Sequence, residues 1–249
     1  MTVKTRLDKL LVDRGLAPSR ARAQALFTDA KARVFVGGRP VDKPGAMVDA
    51  NAEIRIVGEQ LRYVSRGGLK LEGALEHFAI DVAGLTALDL GASTGGFTDC
   101  LLQRGAARVF AIDVGWGQLA PKLRADPRVV VRERVNARDL TTEDVPCPVD
   151  LIVADVSFIS LGLVLPSALP FLRPGGAIVA LVKPQFEVGR AGVGKKGVVR
   201  DENRRRAAIE SICELVRGLG LSLVGWIDAP IAGPEGNREA LIYARREIA

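Results

Sequence analysis

The chain is poor in the residues that most often announce an active site on their own. Among 249 residues there is one histidine, His77, and no partner motif around it that would make it a metal ligand or a base. The three cysteines, Cys100, Cys147 and Cys213, are odd in number and far apart, which fits neither a disulfide framework nor a zinc site. Long apolar runs are also missing. The longest stretch without a charge, Val156 to Leu172, is broken by Pro166 and Pro170 and falls short of a membrane span. Met1-Thr2-Val3-Lys4 leads straight into an amphipathic pattern with no apolar signal core, so the expected location is cytoplasmic. There is no internal repeat and no low-complexity tract.

What the chain does have is enough apolar material for a real core, 48% of residues against 26% charged. Its net charge of +6 is unevenly placed: residues 1 to 64 carry 12 lysines and arginines against 7 acids, and the remainder is near balance. A basic first quarter points toward nucleic acid or is simply a solvated surface.

Leu7, Leu10 and Leu11 have helical spacing, Gly15 ends that pattern, and Ser19 is a good N-cap for a second helix through Ala21, Ala25 and Leu26. Val34-Phe35-Val36, Gly37-Gly38 and Val41 read as a hairpin, closed by a strand with Ile54 and Ile56. A third helix follows Gly67-Gly68, with Leu69, Leu71, Leu75 and Phe78 on one face and Lys70 in its first turn. A cation is unfavourable there for the helix dipole, so Lys70 is either a tolerated surface residue or is held for chemistry. From Leu85 onward, apolar strands alternate with helices: Ala87–Leu90, Val109–Asp113, Val129–Arg132, Leu151–Asp155 and Ala177–Val182, then a helix around 207–219 and a last strand pair, Leu221–Ile227 and Ala240–Ala244. That order predicts a doubly wound, parallel α/β sheet.

The turn after the first of these strands, Asp89-Leu90-Gly91-Ala92-Ser93-Thr94-Gly95-Gly96-Phe97, is placed to cradle a nucleotide-like ligand. Ser93 stands where a dinucleotide fold needs its second glycine, which weakens a pyrophosphate reading. Asp113 ends the next strand, where a carboxylate can accept from ribose hydroxyls; S-adenosylmethionine has such a ribose. Val114 follows it, and Asn136 and Asp139, past the third strand, sit where an adenine amino group could be read. Gly189 to Lys196 nearly spells a phosphate-binding loop, but Lys196 replaces the magnesium-holding hydroxyl. The same segment, continuing to Arg200 and Arg204-Arg205-Arg206, reads better as a basic loop for a phosphate backbone than as a nucleotide hydrolase, with a solvated helix face as the alternative.

The carboxyl ends of the strands also carry Asp155, in Ala154-Asp155-Val156-Ser157-Phe158, and Lys183, in Val182-Lys183-Pro184-Gln185-Phe186, while Glu239 enters the last strand. Each alone is more often a salt-bridged surface charge than a catalyst. Amino-group methylation is disfavoured because Asp155-Val156-Ser157-Phe158 lacks the prolines of its usual motif, and Cys147 lies at the wrong edge of the sheet to serve as a carbon-5 nucleophile.

Together Lys70, Asp155, Lys183 and Glu239 resemble the catalytic Lys-Asp-Lys-Glu tetrad of the FtsJ/RrmJ-like ribose 2′-O-methyltransferases. Ser65-Arg66-Gly67-Gly68-Leu69-Lys70-Leu71, the turn from Gly91 to Thr98, Asp113-Val114-Gly115, and the Asp155 and Lys183 segments are similar to the TlyA (haemolysin A) family. Arg6-Leu7-Asp8-Lys9-Leu10-Leu11, Ser19 to Ala23, Val34 to Gly38 and Val41 to Gly45 resemble the S4 RNA-binding domain.

The resemblance implies a small α+β S4-like unit over residues 1–60, a linker at 61–64, and a class I (Rossmann-like) methyltransferase domain over residues 65–249 with a mostly parallel seven-stranded sheet. It implies S-adenosylmethionine as methyl donor, no metal, and 2′-O-methylation of cytidine in ribosomal RNA. Lys183 is the expected base, Asp155 and Glu239 position the lysines, and Lys70 holds RNA or tunes Lys183. Arg6, Lys9, Arg20, Arg22, Arg66, Lys195 and Lys196 are the expected RNA contacts. The expected partner is ribosomal RNA or a ribosomal subunit and not a membrane, with the protein a monomer or weak dimer. Two alternatives are a membrane-active haemolysin and an RNA-binding assembly factor without catalysis.

Overall fold

In the computed structural model the described residues are 4–17, 20–27, 32–58, 62–189, 192–194 and 197–248, without the side chains of residues 21, 22, 25, 32 and 58. Ser19, Lys195 and Lys196, and the side chains of Ala21, Arg22 and Ala25, therefore lie outside the described residues. Internal contacts divide the protein into two units, Met1–Ser65 and Arg66–Ala249.

The first unit runs β1 (Lys4–Arg6), α1 (Leu7–Asp13), α2 (Arg20–Ala25), β2 (Ala32–Val36), β3 (Arg39–Val41), β4 (Met47–Asp49) and β5 (Ile54–Gly58). Leu7, Leu11, Ala23, Leu26 and Val34 form its core. β2 pairs antiparallel with both β3 and β5, the expected hairpin and closing strand. The short β1–β4 pair was not foreseen, because two three-residue strands carry too little alternation to register as a pattern.

The second unit runs α3 (Gly67–His77), β6 (Thr86–Leu90), α4 (Gly96–Gln103), β7 (Arg108–Asp113), α5 (Pro121–Arg124), β8 (Val129–Glu133), β9 (Val149–Ala154), α6 (Leu161–Ala168), β10 (Leu172–Val182), α7 (Pro184–Glu187), α8 (Glu202–Gly218), β11 (Leu221–Asp228) and β12 (Ala240–Arg246). Its sheet has seven strands in the order β11-β12-β10-β9-β6-β7-β8, with β12 antiparallel to both of its neighbours and the other pairings parallel. Leu88, Phe110, Ile152 and Ile178 are at most 1% exposed. This burial explains why the central strands read as unbroken apolar runs: in a parallel sheet both faces are covered by helices.

The chain runs outward from β6 through β7 and β8, then returns to β6 with β9 on the other side. The strand order reverses between β6 and β9, and such a reversal opens a crevice at the carboxyl ends of the strands. Leu90 and Ala154 are paired in register there, so Gly91 and Asp155 leave the sheet side by side.

Capping fixes the start of two helices, one of which begins earlier than expected. The uncharged stretch after Val156 folds as α6 despite Pro166 within it, because Ser160 caps its start by accepting from Gly162 N and its buried face carries Leu161, Val164, Leu165 and Ala168. α8 begins at Glu202, earlier than expected, since the Asp201 carboxylate accepts from the backbone of Asn203 and Arg204. Among the described residues no helix is long and apolar enough to cross a membrane.

Candidate active site

β6 delivers Asp89 to the interior and then turns at Gly91, whose φ is +81°. A Cβ at Gly91 would lie 2.9 Å from the Asp155 carbonyl oxygen, so the turn can press against the end of β9 only because glycine stands there. Gly95, also at positive φ, caps α4, and a side chain there would collide with Leu119 and Leu123.

Beside this turn is a cavity of about 420 Å³, lined by Gly91, Ser93, Asp113, Val114, Asn136 and Asp155 among the expected cofactor residues. The other expected residues of the turn support it from behind. Asp89, Ala92, Gly96 and Phe97 are buried, and the Thr94 carbonyl accepts from Ala120 N at 3.2 Å. Asp139 is exposed and is not among the lining residues; its N–H donates to the Asn136 carbonyl. Ser157, Phe158 and Gln118 also line the cavity and were not expected, because an uncharged serine, an aromatic and a glutamine carry no spacing signal.

The Asp113 carboxylate is fixed by two backbone donors, Ser93 N at 2.7 Å and Gly115 N at 2.6 Å. Each oxygen keeps a further acceptor site, which suits a pair of ribose hydroxyls. Asp89 Oδ2 accepts from the Thr98 hydroxyl at 2.6 Å, while its buried Oδ1 has no hydrogen-bond partner among the described residues. Burial pushes the Asp89 carboxyl up to about 7; the Thr98 hydrogen bond opposes the shift, and the nearby carboxylates of Asp155 and Asp113 add to it. An orphaned carboxylate oxygen behind a glycine turn, an anchored carboxylate at the next strand and mixed polar and apolar walls fit a cationic nucleoside such as S-adenosylmethionine.

On the acceptor side, the four charges expected from sequence form two ion pairs. Lys183 Nζ lies 2.7 Å from Asp155 Oδ1, and Lys70 Nζ 2.5 Å from Glu239 Oε2. Strand register explains the first: β10 pairs with β9 at Ala180↔Ala154, so Asp155 and Lys183 both emerge at that edge. β10 also pairs with β12 at Val182↔Ala240, which puts Glu239 on the other flank of Lys183. Lys70 and Lys183 are only 6% and 8% exposed. The surface reading of Lys70 is therefore overturned, and the dipole penalty at the start of α3 is met by a carboxylate brought from far along the chain.

Glu239 is held closely in turn. Gly233 has no room for a Cβ, which would sit 2.5 Å from Glu239 Oε1. Asn237, 1% exposed, accepts from Val199 N and donates to the Gly197 carbonyl, fastening the preceding loop to this edge.

The basic patches fare unequally. Arg205 is buried, donates to the Arg238 carbonyl and Glu202, and contacts Asp228. Its charge is therefore committed inside the fold, which removes it from the expected phosphate-binding run; Arg206 pairs with Glu210. In the first unit, Arg6 and Arg20 both reach the fully buried Asp8 at 3.0 Å, with Gln24 as a further donor. Hydrogen bonds from Arg6 and Gln24 outweigh burial and hold the Asp8 carboxyl far below the usual carboxylate range. Lys9 is exposed beside Asp13, and Arg66 is half-buried just before α3.

Two outcomes follow from these burials. The Asp89 carboxyl keeps its proton up to about pH 7 in the folded protein but loses it near its ordinary value of 3.8 when unfolded. Its contribution to stability therefore falls as pH rises from about 4 to about 7. Urea midpoints at pH 5 and pH 8 should differ less in Asp89→Asn than in the parent, and an unchanged difference would contradict the assignment. Lys70→Met strands a carboxylate whose side chain is 1% exposed, and the expected loss is about 3–5 kcal/mol. Lys70→Met/Glu239→Gln should lose less than the sum of its single variants, measured by urea unfolding; strict additivity would show that the pair is uncoupled.

Comparison with known proteins agrees with this geometry. Residues 63–246 match the FtsJ-like methyltransferase family and residues 5–54 the S4 domain. The chain is 49% identical over 248 residues to the 16S/23S rRNA (cytidine-2′-O)-methyltransferase TlyA of Mycobacterium tuberculosis, covering 99% of this chain and 92% of the relative. It is 40% identical over 242 residues to Hemolysin A of Brachyspira hyodysenteriae, covering 96% and 98%. A solved chain named as a hemolysin from Streptococcus thermophilus superposes with a TM-score of 0.78 at 42% identity, covering 99% of this chain and 90% of that one. An S-adenosylmethionine dependent methyltransferase from Mesorhizobium loti, 18% identical over 71% of this chain and 98% of its own, shares the fold with a TM-score of 0.53. With the sheet, the two buried pairs and the matched residues in agreement, the chain belongs to the FtsJ-like methyltransferase family and carries an S4 domain ahead of the methyltransferase domain.

Proposed function

We propose that the protein methylates the 2′-hydroxyl of a cytidine ribose in ribosomal RNA, with S-adenosylmethionine as donor. The observation that carries this reading is the pair of buried lysine–carboxylate contacts at the strand edge that also borders the Asp113 cavity. The choice of ribosomal RNA and of cytidine is supported by the name of the M. tuberculosis relative, a 16S/23S rRNA (cytidine-2′-O)-methyltransferase.

When bound, S-adenosylmethionine supplies an electrophilic methyl group on a sulfonium. Asp113 would hold its ribose hydroxyls and Asn136 its adenine edge, with the buried Asp89 supporting the turn from behind. On the acceptor side a ribose hydroxyl is a poor nucleophile and needs its proton removed as the new bond forms. Lys183 is the group for that proton, and Asp155 balances the charge the amine gains. The Lys70–Glu239 pair, packed on the far flank, keeps a second charge couple fixed so that Lys183 does not drift toward Glu239. Holding both reactants in line accounts for much of the remaining acceleration.

Phe158 favours a nucleic-acid acceptor. It lines the cavity, is 91% exposed, and adopts a φ of +65°, a conformation an L-residue occupies at a cost. Its ring leans on Phe186, with centroids 5.2 Å apart. An exposed aromatic face at a polar site is a platform on which an unstacked base can lie. Arg6, Lys9, Arg20 and Arg66 supply cations for the phosphate backbone, together with Arg22, Lys195 and Lys196. The protein works in the cytoplasm on ribosomal RNA or a ribosomal subunit, as a monomer or weak dimer.

Labelled methyl should pass from S-adenosylmethionine to ribosomal RNA and leave one linkage resistant to alkaline hydrolysis. A methylated base without backbone protection would overturn the ribose assignment. Lys183→Ala should lower the rate by about 100-fold or more while donor affinity stays within a few-fold; joint loss of both would show that Lys183 serves binding instead.

A further inference from the structure

The Lys183 amine is not among the groups that line the cavity, although Asp155 and Ser157 are. Its side chain is 10% exposed, and its surroundings are specific. The Ser157 hydroxyl lies 2.7 Å from Nζ with hydrogen-bond geometry, and the Asp155 carbonyl is a longer contact at 3.4 Å. Asp155 Oδ1 is also 2.7 Å from the amine, but off the direction of a hydrogen bond. The carboxylate therefore acts on Lys183 as a charge, and the short directed bond belongs to a serine.

We infer that Ser157 is a catalytic residue, the proton relay between the 2′-hydroxyl of the acceptor ribose and the Lys183 amine. This rests on the ribose methylation reading above. A hydroxyl is both donor and acceptor, whereas a carboxylate only accepts, so Ser157 can bond the amine in either of its protonation states. In the relay the 2′-oxygen forms its bond to the methyl carbon while the carbon–sulfur bond breaks and its electron pair stays on sulfur. With Lys183 in its amine form, its extra proton released to solvent beforehand, the 2′-hydroxyl proton passes to Ser157 Oγ, and the serine's own proton passes to Lys183 Nζ. The product ammonium then stands beside the Asp155 carboxylate, and the serine is regenerated with one proton exchanged.

The surrounding chain keeps the hydroxyl in place. Val156, immediately before it, is 7% exposed, and Phe158, immediately after it, takes the left-handed backbone conformation. Ser157 is thus held between a buried anchor and a fixed turn, exposed to the cavity on one side and bonded to Lys183 on the other.

The test compares Ser157→Ala and Ser157→Thr with the parent in single-turnover methyl transfer to ribosomal RNA and in trace labelling of amines by acetic anhydride, with Lys183 followed by mass spectrometry. Ser157→Ala should slow transfer by about 100-fold with donor affinity and the thermal midpoint unchanged, and Ser157→Thr should recover most of the rate. In the protein without RNA or donor, Ser157→Ala should label faster at Lys183 at fixed pH, because Nζ has lost its short hydrogen-bond partner. Transfer by Ser157→Ala within threefold of the parent, or equal loss in Ala and Thr, would overturn the relay. If the parent itself forms no alkali-resistant linkage, the ribose reading fails; unchanged labelling of Lys183 in Ser157→Ala would then overturn the serine–lysine bond as well.

Discussion

The site depends on keeping opposite charges together in a place that excludes most of the water. Lys70 and Lys183 are buried at one sheet edge, and each lies against a carboxylate, Glu239 and Asp155, that offsets the cost of burying a charge there. The fold makes this arrangement by register. β10 lies between β9 and β12, so one strand end carries a lysine and both neighbours bring an acid to the same level. Making β12 antiparallel matters here, because it brings the start of that strand, where Glu239 sits, to the edge where the parallel strands finish.

The cavity and the Asp155–Lys183 pair draw on the same chain segments. β6 and β9 are in register where the strand order reverses; the first leads into the glycine turn, and the second into Asp155 and Ser157. The Asp155 residue therefore faces two ways: its carboxylate lines the cavity and pairs with Lys183, and its carbonyl packs against Gly91. Positioning, more than any unusual functional group, is what such a site contributes to methyl transfer.

Most of the sheet was legible because strands covered on both faces leave apolar runs, and those runs predicted β6 to β12. The four charges were legible through their resemblance to a known tetrad, and neighbouring strand ends bring Asp155 and Lys183 together, but the second pairing was not legible: Lys70 and Glu239 meet over a separation of 169 residues. Lys70 alone looked like an exposed cation at the start of a helix. Arg205 misled in the opposite sense, since a run of three arginines gives no hint that the middle one turns inward to Glu202 and Asp228. Ser157 and Phe158 were silent because their roles come from direction and exposure, which a sequence does not encode locally.

The missing side chain at Gly91 has a mechanical consequence. With its backbone packed directly on Asp155, the glycine turn has no compressible layer between itself and the partner of Lys183. Interiors packed at this density transmit displacement instead of absorbing it. A shift of the turn by a few tenths of an ångström is passed to Asp155, and from there to the amine. The glycine is thus a rigid coupling between the edge of the cavity and the Asp155–Lys183 pair.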